Sequence, residues 1–497
     1  MASSFFSAIL NKSHNLAKNS LLAISYCTVR QPSSRRNLFS RISPLGDPSV
    51  SVIPVLDKWV EEGNKVKELE LQRIIRGLRG HRRFTHALEV SKWMSSMGIY
   101  AFSPSDRAVQ LDLIGKVHGL EFAESYFQDL SDQDKTEKTY GALLNCYVRE
   151  GLIDKSLSHL QKMKDMGFSS PLNYNNIMCL YTHSNQHEKV PDVLSQMKVD
   201  GVSPDIFSYR ICISSYGARS DLDAMEKLLL EIERQPHIST DWMTYSMVAN
   251  FFIKAGIKEK ALIYLSKCEH KVHKDALGYN HLISHYGSLG NKKMMMRLWA
   301  LHKDHCKRLA NRDYITILGS LVKLGELEEA EKLLEEWESS CYCYDFRVPN
   351  ILLIGYSQKG LIGKADTLLR DIVKKGKTPT PNSWSILATG YVDKQDMEKA
   401  FDCLKEALVV RANNRNWRPK PRVILSVLGW LGDNRDIVEI EDFVNSLKPV
   451  MSFDRDMNDA LIKVYTRNGK EVDGILEKMD PYKIVEDEET EKILSSR

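Results

Sequence analysis

Apolar residues recur along most of this chain at the spacing of one helical face, and that recurrence is itself repeated. Between Asn311 and Leu324, the residues Tyr314, Ile317, Leu318 and Leu321 fall at i, i+3, i+4 and i+7, which aligns them on one side of an α-helix. Gly325 follows, where a left-handed backbone costs little. A second stripe then runs through Ala330, Leu333, Leu334 and Trp337. Two amphipathic helices joined by so short a turn form an antiparallel hairpin. Such a hairpin cannot bury both stripes alone, and stacking on its neighbours supplies the missing core.

The same plan returns about every 35 residues, the mark of a repeat architecture. Tyr140, Leu143, Leu144 and Tyr147 precede Gly151; Tyr245, Val248, Ala249 and Phe252 precede Gly256; Tyr279, Leu282, Ile283 and Tyr286 precede Gly290. Tyr174, Ile177, Met178 and Tyr181 precede Asn185, a poorer break, and Tyr209, Cys212, Ile213 and Tyr216 open the next unit. Gly360 and Gly469 stand at the turns of later units. Ala261, Ala330, Ala365 and Ala400 share one place early in the second helices, where small side chains let helices approach. With the tyrosine as fourth residue, units start near 137, 171, 206, 242, 276, 311, 346 and 381, with flanking units near 68, 105, 421 and 455. The pattern predicts an all-α solenoid of about twelve helical hairpins over residues 68–485. Residues 47–67 form a linker or cap, Asn413-Asn414-Arg415-Asn416-Trp417 an extended loop, and 486–497 an acidic tail around Glu486-Asp487-Glu488-Glu489.

The first 46 residues break the pattern. They carry Lys12, Lys18, Arg30, Arg35, Arg36 and Arg41, many serines, and no acid before Asp47. This composition reads as a mitochondrial transit segment, with chloroplast targeting as the alternative, and processing would suit the region Arg36–Ser40. The leader changes the charge argument. The whole chain carries +4, but without the leader's six basic residues 63 bases face 65 acids, a balance of −2. The mature body therefore has no global attraction for a phosphate backbone, and any cationic groove must be local. No run of eighteen apolar residues occurs, so no membrane insertion is expected.

Lys323-Leu324-Gly325-Glu326-Leu327-Glu328-Glu329-Ala330, the tyrosine-led pairs Tyr174-Asn175, Tyr245-Ser246 and Tyr279-Asn280, and the closing segment Met197–Asp205 with its Gly-x-x-Pro-Asp together resemble the plant-type, P-class pentatricopeptide repeat family. The resemblance spans roughly residues 68–485. It implies a right-handed α-solenoid superhelix that binds single-stranded organellar RNA, one nucleotide per repeat, without catalysis or cofactor. No DNA partner is expected; ribosomal or RNA-processing proteins are. The family's reading positions are the residue after the tyrosine and the last residue of the unit. Carried over, Asn175 with Asp205 resembles a uridine-preferring pair, and Ser246 with Asp275 is weakly purine-like. Arg210 with Asp241, Asn280 with Ala310, Asn350 with Thr380, Gly141 with Ser170, Ile315 with Asp345 and Ser385 with Lys420 depart from the family's usual pairs. Gly141 and Ile315 offer no side-chain hydrogen bond at all. The same surface could instead hold a protein in an organellar ribosome or ribonucleoprotein.

Arg149, Lys254, Lys323 and Arg467 precede their turns at equivalent places and are candidates for phosphate contact, although a base at a helix C-terminus also favours the helix dipole. His281, His285, His302, His305 and Cys306 lie on neighbouring helices without the spacing of a zinc site, and Cys341-x-Cys343 is not a structural zinc pair. A deaminase would need His-x-Glu with Cys-x-x-Cys, a phosphate cradle a Gly-rich loop ending in Lys-Ser or Lys-Thr; neither is present, and no metal site is expected.

Overall fold

A computed structural model describes residues 37–98, 101–306, 308–341, 343–411 and 417–467. Leader residues 1–36, the loop residues Asn413, Asn414, Arg415 and Asn416, Gly469 and the tail 486–497 lie outside the described residues, while Trp417 of that loop is buried. The chain forms two compact units, Met1–Lys271 and Val272–Arg497. Both are built from helices, and among the described residues there is no strand.

The first unit opens with α1 (Leu38–Ile42) and α2 (Ile53–Glu61). Six hairpins follow: α3 (Glu68–Gly80) with α4 (Phe84–Ser96), α5 (Pro104–Val117) with α6 (Leu120–Gln128), and α7 (Glu137–Arg149) with α8 (Ile153–Asp165). They continue as α9 (Pro171–His183) with α10 (Val190–Val199), α11 (Ile206–Ala218) with α12 (Leu222–Glu233), and α13 (Trp242–Lys254) with α14 (Lys258–Lys271). The second unit holds α15 (Ala276–Ser288) with α16 (Lys292–His305), and α17 (Asn311–Leu324) with α18 (Leu327–Ser340). After these come α19 (Pro349–Gln358) with α20 (Ile362–Lys374), α21 (Pro381–Asp393) with α22 (Met397–Val410), α23 (Pro421–Asn434) with α24 (Ile437–Leu447), and then α25 (Arg455–Arg467). Odd-numbered helices from α3 onward are the first helices of their hairpins.

Local chemistry sets these boundaries. Asp205 and Asp241 cap α11 and α13 by accepting from Ser208 N and Thr244 N, which satisfies amides a helix leaves unpaired at its start. Proline stands in the first turn of α5, α9, α19, α21 and α23, where its missing N–H is harmless. The 346 unit begins its helix only at Pro349, because Phe346–Val348 form a turn first. Between the helices of each hairpin from α3 to α22 the chain takes one left-handed residue, whereas Arg435 and Asp436 join α23 to α24 at negative φ. Gly325 does so at φ 84°, and Asn185, Ser220 and Gln395 do so at 59°, 61° and 62° without being glycine.

The layer tyrosines Tyr140, Tyr174, Tyr209, Tyr245, Tyr279 and Tyr314 are all buried in corresponding positions, and Trp384 takes that place in α21. The hydroxyls of Tyr314 and Tyr174 reach the far end of their own hairpins, donating to Glu336 at 3.2 Å and to Asp200, whereas Tyr245 donates at 2.8 Å to Glu233 at the end of the preceding hairpin. An aromatic body with a polar tip fits a core whose edge is wet. Ala261, Ala330, Ala365 and Ala400 are fully buried. Within each unit first helices pack on first helices more closely than second helices on second helices. Within each unit the first helices thus form a dense layer and the second helices a splayed one.

Residues 37–46, grouped with the leader by composition, are folded. Leu38 and Ile42 are completely buried, and the Arg83 guanidinium donates to the carbonyls of Ile42 at 3.2 Å, Ser43 at 3.1 Å and Leu45. His86 Nε2 lies 3.1 and 3.0 Å from the carbonyls of Asp47 and Val50.

Candidate nucleic-acid interface

The residue after each layer tyrosine points along the first-helix layer toward the next repeat. In α9 this residue is Asn175, which is buried. Its Nδ2 donates to Asp205 Oδ1 at 3.3 Å, while its Oδ1 has no protein partner. The same Asp205 oxygen accepts from Ser208 N at 2.7 Å and Ser208 Oγ at 2.9 Å. One carboxylate thus caps a helix and fixes a neighbour's amide.

In α11 the position holds Arg210, whose guanidinium lies 3.6 Å from Asp241. It sits between Phe207, whose ring centroid is 5.9 Å away, and Met243, whose sulfur accepts at 3.4 Å. Its Nε has no partner. Phe207 and Met243 stand two residues before successive layer tyrosines, so apolar plates flank this polar group. In α13, Ser246 is buried. Asp275 caps α15 by accepting from Leu277 N at 2.9 Å.

In α15 the position holds Asn280, and Ala310 cannot partner it. Its Nδ2 instead donates to Asp313 Oδ1 at 2.6 Å, and its Oδ1 has no partner. Asp313 Oδ2 accepts from Ala310 N at 2.7 Å. His302 is fully buried against Tyr279, rings 5.3 Å apart, with Nε2 3.9 Å from Asp313. Burial holds that imidazole below its usual range. In α17, Ile315 contributes nothing polar, and Asp345 is engaged by Arg347 at 2.6 Å and Asn311 at 3.2 Å. In α19 and α21, Asn350 Oδ1 and Ser385 Oγ are buried without a partner.

One structural position therefore carries a buried polar atom without a protein partner in five repeats, at Asn175, Arg210, Asn280, Asn350 and Ser385. Each such atom costs about 1–3 kcal/mol relative to a satisfied one. Among the described residues they recur at one register of the first helices within each unit, Asn175 and Arg210 in the first and Asn280, Asn350 and Ser385 in the second, as a local run of hydrogen-bonding capacity. Of these, Asn175, Arg210, Asn280 and Asn350 are candidates named from the sequence, whereas Ser385 is not, and neither is Asp313. An aspartate three residues past a non-capping alanine was the signal.

The phosphate candidates fare unequally. Arg149 lies 3.5 Å from Asp112 and 3.4 Å from Glu150. Asp112, buried, also binds Arg79 at 2.8 Å and Lys116 at 2.7 Å. Burial pushes this carboxyl up, but Lys116 and Arg79 outweigh it and hold the group below the ordinary carboxylate range. Three cations at the ends of α3, α5 and α7 thus share one acid. Lys254 is exposed, 5.8 Å from the Phe251 ring, and Lys323 is exposed and donates to Ser288 Oγ at 3.1 Å. Lys359 and Lys394 stand one place later, directly before the left-handed Gly360 and Gln395, and lie against the turns at Gly325 and Gly360. Arg467 pairs with Asp433 at 2.9 Å.

The histidines are packing groups. Burial drives His285 down to about 3, with His281 beside it at 6.0 Å, and His305 Nδ1 lies 2.6 Å from the Tyr279 hydroxyl. Among the described residues no three His, Cys, Asp or Glu side chains gather as a metal would need. Among the same residues no helix is long and apolar enough to cross a membrane.

Known proteins share this plan. The PPR repeat model matches residues 138–168, 313–342, 348–376 and 382–408, and the PPR repeat family model matches 172–218. A mitochondrial pentatricopeptide repeat-containing protein of Arabidopsis thaliana is 50% identical, covering 93% of this chain and 95% of its own length. A second from that plant, also mitochondrial, is 37% identical over 91% of this chain and 94% of its own. A large ribosomal subunit protein of Arabidopsis thaliana is 31% identical over 92% of this chain and 94% of its own. Among solved structures, a pentatricopeptide repeat protein in complex with an 18-nucleotide RNA element aligns at a TM-score of 0.42 and 15% identity, covering 92% of this chain and 77% of that one. With hairpins of one register, tyrosines in matching layers and relatives matched end to end, the chain belongs to the pentatricopeptide repeat family.

Proposed function

We propose that this protein binds single-stranded organellar RNA along its first-helix layer, in the mitochondrial matrix, and supports transcript processing, stability or translation without a chemical step. The observation that carries the reading is the run of unpartnered buried atoms within each unit, at Asn175 and Arg210 in the first and at Asn280, Asn350 and Ser385 in the second. A base edge supplies the donors and acceptors those atoms lack, and a single strand offers one base per step. Lys254, Lys323, Lys359 and Lys394, exposed at or near the C-terminal ends of their first helices, are the phosphate contacts of this reading. Arg149 is the weakest of that set, because Asp112 and Glu150 already engage it.

The relatives named as mitochondrial support the location. Burial of Leu38 and Ile42 favours leader removal on the N-terminal side of Leu38, which N-terminal sequencing of the organellar protein checks. Crosslinking of the mature protein in organelles should recover a few reproducible transcript footprints, with affinity that falls as salt rises. Uniform background over all abundant transcripts overturns the reading.

The ribosomal relative favours a second one, docking into an organellar ribonucleoprotein. Cosedimentation that survives ribonuclease treatment distinguishes it.

A further inference from the structure

We propose that Asp313 is a positioning residue for base choice, standing in for the acceptor that Ala310 cannot supply to Asn280. The proposal rests on the RNA-binding reading above and deepens it. A carboxylate only accepts hydrogen bonds, so an asparagine beside it must turn its NH2 inward and its oxygen outward. Asp205 imposes that orientation on Asn175 from the N-cap of α11, at 3.3 Å. Asp313 imposes it on Asn280 from three residues inside α17, at 2.6 Å. The two asparagines end in the same state, with Nδ2 engaged and Oδ1 unpartnered.

The arrangement occurs again in α3, where Gln72 Nε2 donates to Asp106 Oδ1 at 3.1 Å. Asp106 also lies three residues past its cap, Ser103, and accepts from Ser103 N at 3.1 Å. In both places an aspartate inside the helix engages the amide at the same register of the preceding repeat, although Ser103 itself still caps α5 and Gln72 Nε2 also donates to Glu68 at 3.0 Å. Asn350 provides the contrast. Its neighbouring repeat begins with Thr380 and Ser383, hydroxyls 3.0 Å apart that can each donate or accept, so they impose no amide orientation of the kind a carboxylate does.

An outward acceptor oxygen meets the imino N–H of uracil, whereas cytosine presents a bare nitrogen at that place. The Asn280 repeat accordingly selects uridine over cytidine, as the Asn175 repeat does, despite its alanine in the last position. Selection from a randomised single-stranded RNA pool with the mature chain reads this directly. Wild type should show two uridine positions, one removed by Asn175→Ala and the other by Asp313→Asn. Asp313→Asn should lower uridine-over-cytidine preference at its own position from roughly tenfold to near unity, with the Asn175 position unchanged as the internal control for folding. The double variant Ala310→Asp/Asp313→Ser copies the Asp205/Ser208 arrangement and should restore the preference. Wild-type protein that selects no RNA overturns the RNA-binding reading itself. RNA selection that is unaltered by Asp313→Asn, or weakened equally at both positions, overturns only the role given to Asp313.

Discussion

The two helical layers of this protein handle polarity in opposite ways. In the second-helix layer charges close on each other from repeat to repeat: Lys267 with Glu233 at 2.8 Å, Lys260 with Glu226 at 2.6 Å, Lys303 with Glu336 at 3.1 Å, Lys292 with Glu326 at 2.9 Å and Glu329 at 2.6 Å. In the first-helix layer the recurring position after the tyrosine keeps unpaired capacity. A layer whose charges are matched internally serves the stack. A layer that repeats an unmet hydrogen bond serves something outside the protein. Net charge does not register this, because most of the unmet capacity lies on uncharged amide and hydroxyl groups.

The largest effect should come from breaking what both layers share. Trp337 is almost wholly buried, and its indole donates to Asn311 at 2.9 Å. Trp337→Ala should destabilise by about 3–5 kcal/mol, visible as an earlier thermal unfolding transition by circular dichroism. Overpacking the first-helix layer comes next. A Cβ on Gly217 would stand 2.4 Å from the Phe251 ring, so Gly217→Ala should cost about 1–3 kcal/mol in the same assay. An unchanged melting profile would mean the layer is looser than its packing indicates.

The layers should then separate. Asn175→Ala removes one member of the run and should reduce base discrimination at its position by roughly tenfold while leaving thermal stability nearly untouched. Lys267→Ala on the other layer should leave RNA selection unaltered and cost under about 1 kcal/mol, as exposed pairs usually do. If Lys267→Ala altered base choice, the division between layers would fail.

A smaller test is the Lys164–Asp200 pair, 2.5 Å apart. Lys164 and then the Tyr174 hydroxyl hold Asp200 down to about 2. Its folded value is depressed, so its contribution to stability is present above the unfolded value near ~4 and is lost as pH falls toward 2. Carboxyl NMR titration should show that midpoint, and Lys164→Ala should move it upward.

Much of the fold was legible because periodicity is a one-dimensional property. Starts expected at 137, 171, 206, 242, 276, 311, 381, 421 and 455 are where first helices begin. Glycine marked the turn at Gly325, but Ser220 and Gln395 adopt the same left-handed backbone. There the stacking of hairpins overrides residue preference, which a single residue cannot announce. Asn175 with Asp205 was readable because the pair sits at the expected interval. Asp313 was not, since its cap position held alanine, and the convergence of Arg79, Lys116 and Arg149 on Asp112 joins residues from three repeats.

The sequence alone determined the period, the hairpin and the stripe that must be buried, because these follow from which residues recur at helical spacing. Tertiary structure alone decided which side chains meet across repeats and which polar atoms stay unpartnered. That choice turns on distances of a few ångströms between residues more than thirty positions apart, such as Asn280 and Asp313, set by how closely one helix settles on the next.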